Sequence, residues 1–198
     1  MFATTLCTAE AISFLSKNEE TPAPNNSTDS ADQRQGGTNL KILYLHGLKS
    51  QPGGVKATLL REKGHEVSMP ALPDKDFDAS VRLAQQTYDE LHPDAVVGSS
   101  RGGVVAMALD SEETPLVLIS PDWKTWGNKT TTKAATVILH SAVDDAIALE
   151  DSRSLMQNSG LPETSLRVVG TSHFMVDEAA LQALVDVVEQ FGEDRPAP

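Results

Sequence analysis

Apolar residues in this chain come in short unbroken runs, and longer amphipathic stretches separate them. Leu40 to Leu45, Glu66 to Met69, Ala95 to Gly98, Pro115 to Ser120, Ala135 to His140 and Ser165 to Val169 each read as a strand. The stretches between them carry the 3.6-residue period. Gly54 to Lys63 predicts a helix closed by Gly64, and Leu149 to Asn158 one closed by Gly160. Phe77 to Leu91 places Phe77, Val81, Leu83, Ala84, Tyr88 and Leu91 for one face. Val104 to Leu109 reads as a short apolar helix, and Asp177 to Phe191 as the last helix. Pro70 and Pro73 stop the second strand.

Buried strands alternating with helices predict an α/β fold: a three-layer sandwich around a six-stranded parallel sheet with helices on both faces. One domain is expected, over residues 39–192. Lys17 to Thr38 is rich in Asn, Ser, Thr, Pro, Glu, Asp, Gln and Gly and offers almost nothing to bury. Residues 1–38 are therefore expected to form a disordered tail, and residues 193–198 a second, short one.

Composition removes several function classes. The chain has 198 residues and a net charge of −12, which argues against nucleic acid or an anionic membrane as partner. A single cysteine, Cys7, excludes an internal disulfide and leaves the cytoplasm as the default compartment. No apolar run approaches the roughly 20 residues of a membrane span. Met1 to Ser16 has no Lys or Arg and contains Glu10, unlike a secretory signal. The glycosylation-type triplets at Asn25, Asn26 and Asn128 read as chance matches.

The chemistry is expected beyond the carboxyl ends of the strands, where open parallel sheets build their sites. After the third strand comes Gly98-Ser99-Ser100-Arg101-Gly102, a G-x-S-x-G pattern between a strand and a helix. That context predicts a nucleophile elbow with Ser100 at its apex. After the first strand, His46-Gly47-Leu48 reads as an oxyanion loop; a phosphate loop would need Gly-Lys-Ser/Thr in sequence, and Gly54-Val55-Lys56-Ala57 breaks that pattern. The N–H groups of Leu48 and Arg101 are the candidate oxyanion donors. His46 is read as a loop-holding residue, and His140 as structural.

After the fifth strand stand Asp144 and Asp145; either can orient an imidazole or cap the following helix, and Asp144 is the preferred acid. After the sixth strand, His173 lies among Gly170, Thr171 and Ser172. Ser100, Asp144 and His173 together run in the order stated for α/β-hydrolases. Asp122 to Thr132 is the only lid candidate, and it is short. Trp123 and Trp126 on it either line an acyl pocket or pack the loop against the sheet.

On these residues the chain resembles the α/β-hydrolases from Leu40 to Phe191. More narrowly, Tyr44-Leu45-His46-Gly47-Leu48 with Ser50, Pro52 and Lys56, then Gly98 to Gly103, then Pro121-Asp122-Trp123-Lys124-Thr125-Trp126-Gly127, resembles the small lidless YqiA-type bacterial esterases. The resemblance implies Ser100 as nucleophile, Asp144 as acid, His173 as base, and a sheet of order 2-1-3-4-5-6. Leu48 stands where Phe is usual, Ser141 where Gly often follows the His, and Ala148 where Pro often closes the acid loop. The expected activity is hydrolysis of small carboxylic esters or thioesters, with a small acyl compound as partner and no metal or cofactor. A hydrolase-fold protein that binds a ligand or partner with little turnover is the rival expectation, and labelling by a fluorophosphonate separates the two. Transfer of the acyl group to an acceptor other than water shares the same intermediate.

Overall fold

The computed structural model describes residues 39–194, apart from 49, 51 and 52. The expected tail 1–38 lies outside the described residues, as do residues 195–198 of the expected tail 193–198, the resemblance-bearing Pro52 and the cysteine at position 7; Glu193 instead ends the last helix and Asp194 is its C-cap.

Strands β1 (Lys41–Leu45), β2 (Glu66–Ser68), β3 (Ala95–Ser99), β4 (Leu116–Ile119), β5 (Thr136–His140) and β6 (Leu166–Val168) form one sheet of order β2-β1-β3-β4-β5-β6. Every neighbouring pair is parallel. Helices α1 (Val55–Glu62), α2 (Phe77–Leu91), α3 (Arg101–Ala108), α4 (Leu149–Asn158) and α5 (Glu178–Glu193) connect and flank them. Most element ends differ from the sequence reading by one or two residues, the usual fraying margin, while α3 starts three residues before Val104, at Arg101. A single 3₁₀ turn, Glu163–Ser165, takes the residue expected to start β6. The last helix runs on through Glu193 instead of ending at Phe191.

Strand alternation builds two cores. Leu43, Leu45, Val96, Leu116, Leu118 and Ile138 point to one face and pack with Ala84, Val105 and Leu155 of α2, α3 and α4. Ile42, Tyr44, Val97, Val117, Ile119 and Leu139 point to the other and meet Ala57 and Leu60 of α1 and Ala180, Leu184 and Val188 of α5. β1, β3 and β4 are covered on both sides, which is why they read as unbroken apolar runs. Each fully buried Leu or Ile side chain contributes about 1.5–3 kcal/mol.

Because all strands run the same way, the loops after β1, β3, β5 and β6 open on one edge of the sheet. That edge carries His46, Ser100, Asp144 and His173. No helix among the described residues is long and apolar enough to cross a membrane.

Candidate active site

β3 delivers Ser100 in a conformation that L-residues rarely adopt, φ 53° and ψ −120°. Such a residue costs on the order of 1–3 kcal/mol and persists only where its surroundings hold it. Here the Ser100 N–H donates to Ile119 O at 2.8 Å, and the Gly103 N–H donates to Ser100 O at 3.0 Å. The two flanking glycines are fixed by contact. A Cβ on Gly98 would lie 2.6 Å from Gly102 O and Gly103 Cα. A Cβ on Gly102 would run into the carbonyl oxygens of Leu45 and His46 at the end of β1. The elbow is therefore as tight as the G-x-S-x-G pattern requires.

Asp144 and His173 meet. The His173 Nδ1 lies 2.9 Å from Asp144 Oδ2 and 3.1 Å from Oδ1. The Asp144 carboxylate is fully buried and the His173 ring is 19% exposed. Asp144 Oδ1 also accepts from the Ala146 and Ile147 N–H groups, each at 2.9 Å. Burial pushes the Asp144 pKa up, but the bonds from Ile147, His173 and Ala146 outweigh it and hold the carboxyl below the ordinary range. The buried Ser120 hydroxyl lowers it further, although no hydrogen bond of full geometry joins the two. An ionised carboxylate only accepts, so the His173 Nδ1 carries the proton and Nε2 presents a lone pair. Asp145 is exposed and stands apart from this pair. Neither aspartate caps α4, whose N-cap is Ala148 without a side-chain bond.

Ser100 and His173 line the same open cavity of ≈ 320 Å³, together with Tyr44, His46, Gly47, Leu48, Lys56, Ser99 and Phe174. His46 faces it with both nitrogens engaged: Nδ1 donates to Gly47 O at 2.8 Å, and Nε2 accepts from the Leu72 N–H at 3.0 Å. His140 is equally occupied, with Nε2 on Ile147 O at 3.0 Å and Nδ1 accepting from the Ser152 hydroxyl at 2.7 Å. Desolvation lowers its pKa and keeps it neutral.

Of the two readings of the tryptophans, packing against the fold is the one the structure favours. Trp123 and Trp126 do not line the cavity. Trp126 stacks on Phe77 of α2, and the Trp123 Nε1–H donates to Asp151 O at 2.9 Å. Their loop is fastened down to α4: Lys124 pairs with Asp151, Asn158 donates to Thr130 O, and the Thr132 N–H donates to Ser159. The segment expected to be the lid candidate is thus anchored beside the sheet, on the same face as α2 and α4. The Arg101 side chain also points away from the cavity. Its guanidinium lies beside the stacked Phe77 and Trp126 rings, 5.7 and 4.9 Å from their centres, and Nη2 donates to Pro73 O, Asp76 O and Ser80 Oγ.

No protein-family model matches the chain, and no curated protein matches it. Solved structures do. A protein of the alpha/beta superfamily of hydrolases from Xanthomonas campestris pv. campestris aligns with a TM-score of 0.66 at 18% identity, over 79% of this chain and 98% of its own. Alpha/beta hydrolase domain-containing protein 10 from mouse aligns at 0.62 and 15% identity, over 78% and 90%. A serine hydrolase without lid from Xanthomonas campestris aligns at 0.54 and 16% identity, over 82% and 87%. The chain has the α/β-hydrolase fold.

Within that fold several cavity residues carry no signal in a single sequence. Tyr44 looks like one more apolar strand residue, yet its buried hydroxyl pairs with Ser99 beside Ser100; burial pushes its pKa up, and that bond only partly offsets the rise. Phe174 and Val176 look like helix-start apolar residues, but the loop turns them outward at the cavity mouth. Lys56, quoted above only for the family likeness, enters the cavity wall from α1. Ser120 takes φ 41° just after β4 and lies beside Asp144, a placement only the sheet order produces.

Proposed function

We propose that this protein is a serine hydrolase that cleaves carboxylic esters or thioesters through an acyl-enzyme on Ser100. One observation carries the reading: a buried carboxylate, Asp144, holds the Nδ1 side of His173, and the histidine shares one open cavity with a serine on a strained elbow.

In the proposed cycle His173 Nε2 takes the Ser100 proton as Oγ attacks the acyl carbon. Asp144 keeps the imidazole in the productive tautomer and stabilises its cationic form. The N–H groups of Leu48 and Arg101 hold the tetrahedral oxyanion. Arg101 is the first residue of α3, where backbone donors have no intrahelical acceptor, and Leu48 lines the cavity. The leaving group takes the proton back from His173, and water repeats the sequence to release the acid. No step calls for a metal or a cofactor. The cytoplasm is the proposed compartment.

Two neighbours support an ester-directed reading by what their own structures record. Est1E from Butyrivibrio proteoclasticus, with a structure in which ferulic acid is bound, aligns at a TM-score of 0.59 and 15% identity over 80% of this chain and 90% of its own. A structure from a study of the metagenome-derived lipolytic enzymes LipS and LipT aligns at 0.60 and 13% identity over 79% and 95%. The test is a fluorophosphonate probe followed by a panel of p-nitrophenyl esters of increasing chain length, with Ser100→Ala as blank. Labelling and turnover that both vanish in Ser100→Ala support the proposal. A folded wild type that neither labels nor turns over any ester refutes it and leaves ligand binding without turnover.

A further inference from the structure

Among the described residues, the cavity wall holds one amine and no carboxylate. Among the described residues that line it, Lys56 is the only side chain with an amine, and the others are apolar, hydroxyl, imidazole or glycine groups. Lys56 Nζ donates to Phe174 O at 2.5 Å, which satisfies one of its three protons. Among the described residues no acidic side chain pairs with it, and burial lowers its pKa to about 8 against an ordinary 10.5. At neutral pH it is still a cation. A half-buried ammonium without a counter-ion is costly, because a carbonyl oxygen does not neutralise it. In a chain of net charge −12, nearby carboxylates would be easy to supply, and none is among the described residues that line the cavity.

The rim has a second character. Six large apolar side chains stand exposed among the described residues, and four of them, Leu48, Val55, Phe174 and Val176, line this same cavity. Phe174 is 71% exposed. Apolar groups gathered at the mouth of a single cavity mark a surface meant to be covered by a ligand.

Building on the proposed hydrolase reading, we infer that the substrate is an anionic amphiphile: an ester or thioester whose carboxylate, or equivalent anionic oxygen group, pairs with Lys56 while its apolar body lies across Leu48, Val55, Phe174 and Val176. The anion supplies the missing counter-ion, so a charged ester gains an interaction that its neutral analogue lacks. The bond to Phe174 O has a different consequence. It pins the loop that carries His173, so removing Lys56 outright changes both binding and base placement. A glutamine keeps a donor that can turn toward Phe174 O, on a side chain one bond shorter, and removes the charge.

Two ester series locate the anion. In the first, p-nitrophenyl glutarate monoester is compared with p-nitrophenyl valerate, which differs by exchange of the acid for a methyl group. In the second the carboxylate is on the leaving group, as 4-(butyryloxy)benzoate against 4-methylphenyl butyrate. The wild type is expected to prefer the anionic member at least tenfold in kcat/KM in one series, mainly through KM. That preference falls to about twofold or less in Lys56→Gln and persists in Lys56→Arg. Calorimetric binding of the anionic and neutral esters to Ser100→Ala gives the same ranking without turnover. Equal handling of both members in both series by an active wild type overturns the inference while the hydrolase reading stands, and so does a preference unchanged in Lys56→Gln. Tight binding of the anionic ester by Ser100→Ala, with no labelling of the wild type, overturns the hydrolase reading and keeps the anion site.

Discussion

Replacing Asp144 with asparagine separates the chemical use of this residue from its structural use. The carboxylate accepts from Ala146 N–H, Ile147 N–H and His173 Nδ1, all at 2.9 Å. An asparagine Oδ1 can keep the two backbone bonds. Its amide nitrogen then faces His173 Nδ1, where it meets a second donor. The imidazole escapes the clash by moving its proton to Nε2, and a protonated Nε2 cannot accept the Ser100 proton. For triads of this geometry the loss in kcat is about 10⁴-fold, which at about 1.36 kcal/mol per decade is roughly 5 kcal/mol of transition-state stabilisation. Stability should fall much less. Charge-assisted bonds become neutral ones, a difference of about 1–2 kcal/mol. The pH dependence fixes the sign. Asp144 has a folded pKa below the ordinary carboxyl value, so its contribution is present above that ordinary value and is lost as pH falls through the depressed one. The stability gap between wild type and Asp144→Asn should therefore be full at neutral pH and close in acid. The assay is kcat on p-nitrophenyl butyrate, the rate of fluorophosphonate labelling, and thermal melts across pH. Asp145→Asn, which alters an exposed residue, should change neither. Activity within tenfold of wild type in Asp144→Asn, or an equal loss in Asp145→Asn, would refute the assignment.

Gly102→Ala forces a methyl into the carbonyls of Leu45 and His46, so thermal melts should show a loss of about 1–3 kcal/mol or more, seen as a fall of several degrees. Arg101→Met keeps the backbone N–H but removes the donor to Pro73 O, Asp76 O and Ser80 Oγ; urea unfolding should show about 2–4 kcal/mol lost, while active-site titration finds kcat per folded molecule within a few-fold of wild type. His46→Ala leaves the buried Leu72 N–H without its acceptor, and the same unfolding assay should report about 1–3 kcal/mol. Trp126→Ala should lower the melting temperature without altering acyl-chain preference on the ester panel, because the ring packs on Phe77 outside the cavity.

The sheet is legible in the sequence, and the candidate residues Ser100, Asp144 and His173 are drawn from it, for one shared reason. Strands buried on both faces are written as unbroken apolar runs, and a site at their carboxyl ends falls on the few polar residues that follow each run. Ser100, Asp144 and His173 all stand one to five residues past a strand end. The choice between the two roles of Trp126 is not legible in the sequence, because nothing local distinguishes an aromatic that lines a cavity from one that packs on Phe77 and Arg101, 49 and 25 positions away in the chain. Lys56 was hidden for the reverse reason. A lysine in the first turn of an amphipathic helix ordinarily faces water, and only the approach of Phe174, 118 residues later, turns it into cavity wall.

Arg101 explains how the strained elbow stays folded. The Ser100 backbone is costly on its own, and β3 and β4 supply only the bond to Ile119 O. The next side chain answers from the other direction. Its guanidinium, 1% exposed, reaches across to the start of α2, ties Pro73, Asp76 and Ser80 together and lies beside the Phe77 and Trp126 rings. Desolvation lowers its pKa, while Asp74 and Asp76 pull it back up. The loop from Asp122 to Thr132 contributes Trp126 to that clamp and is itself fastened to α4. Here the same stretch of chain cannot both close over Ser100 and brace the helix that presents it, so the open site and the rigid elbow are two consequences of one packing choice.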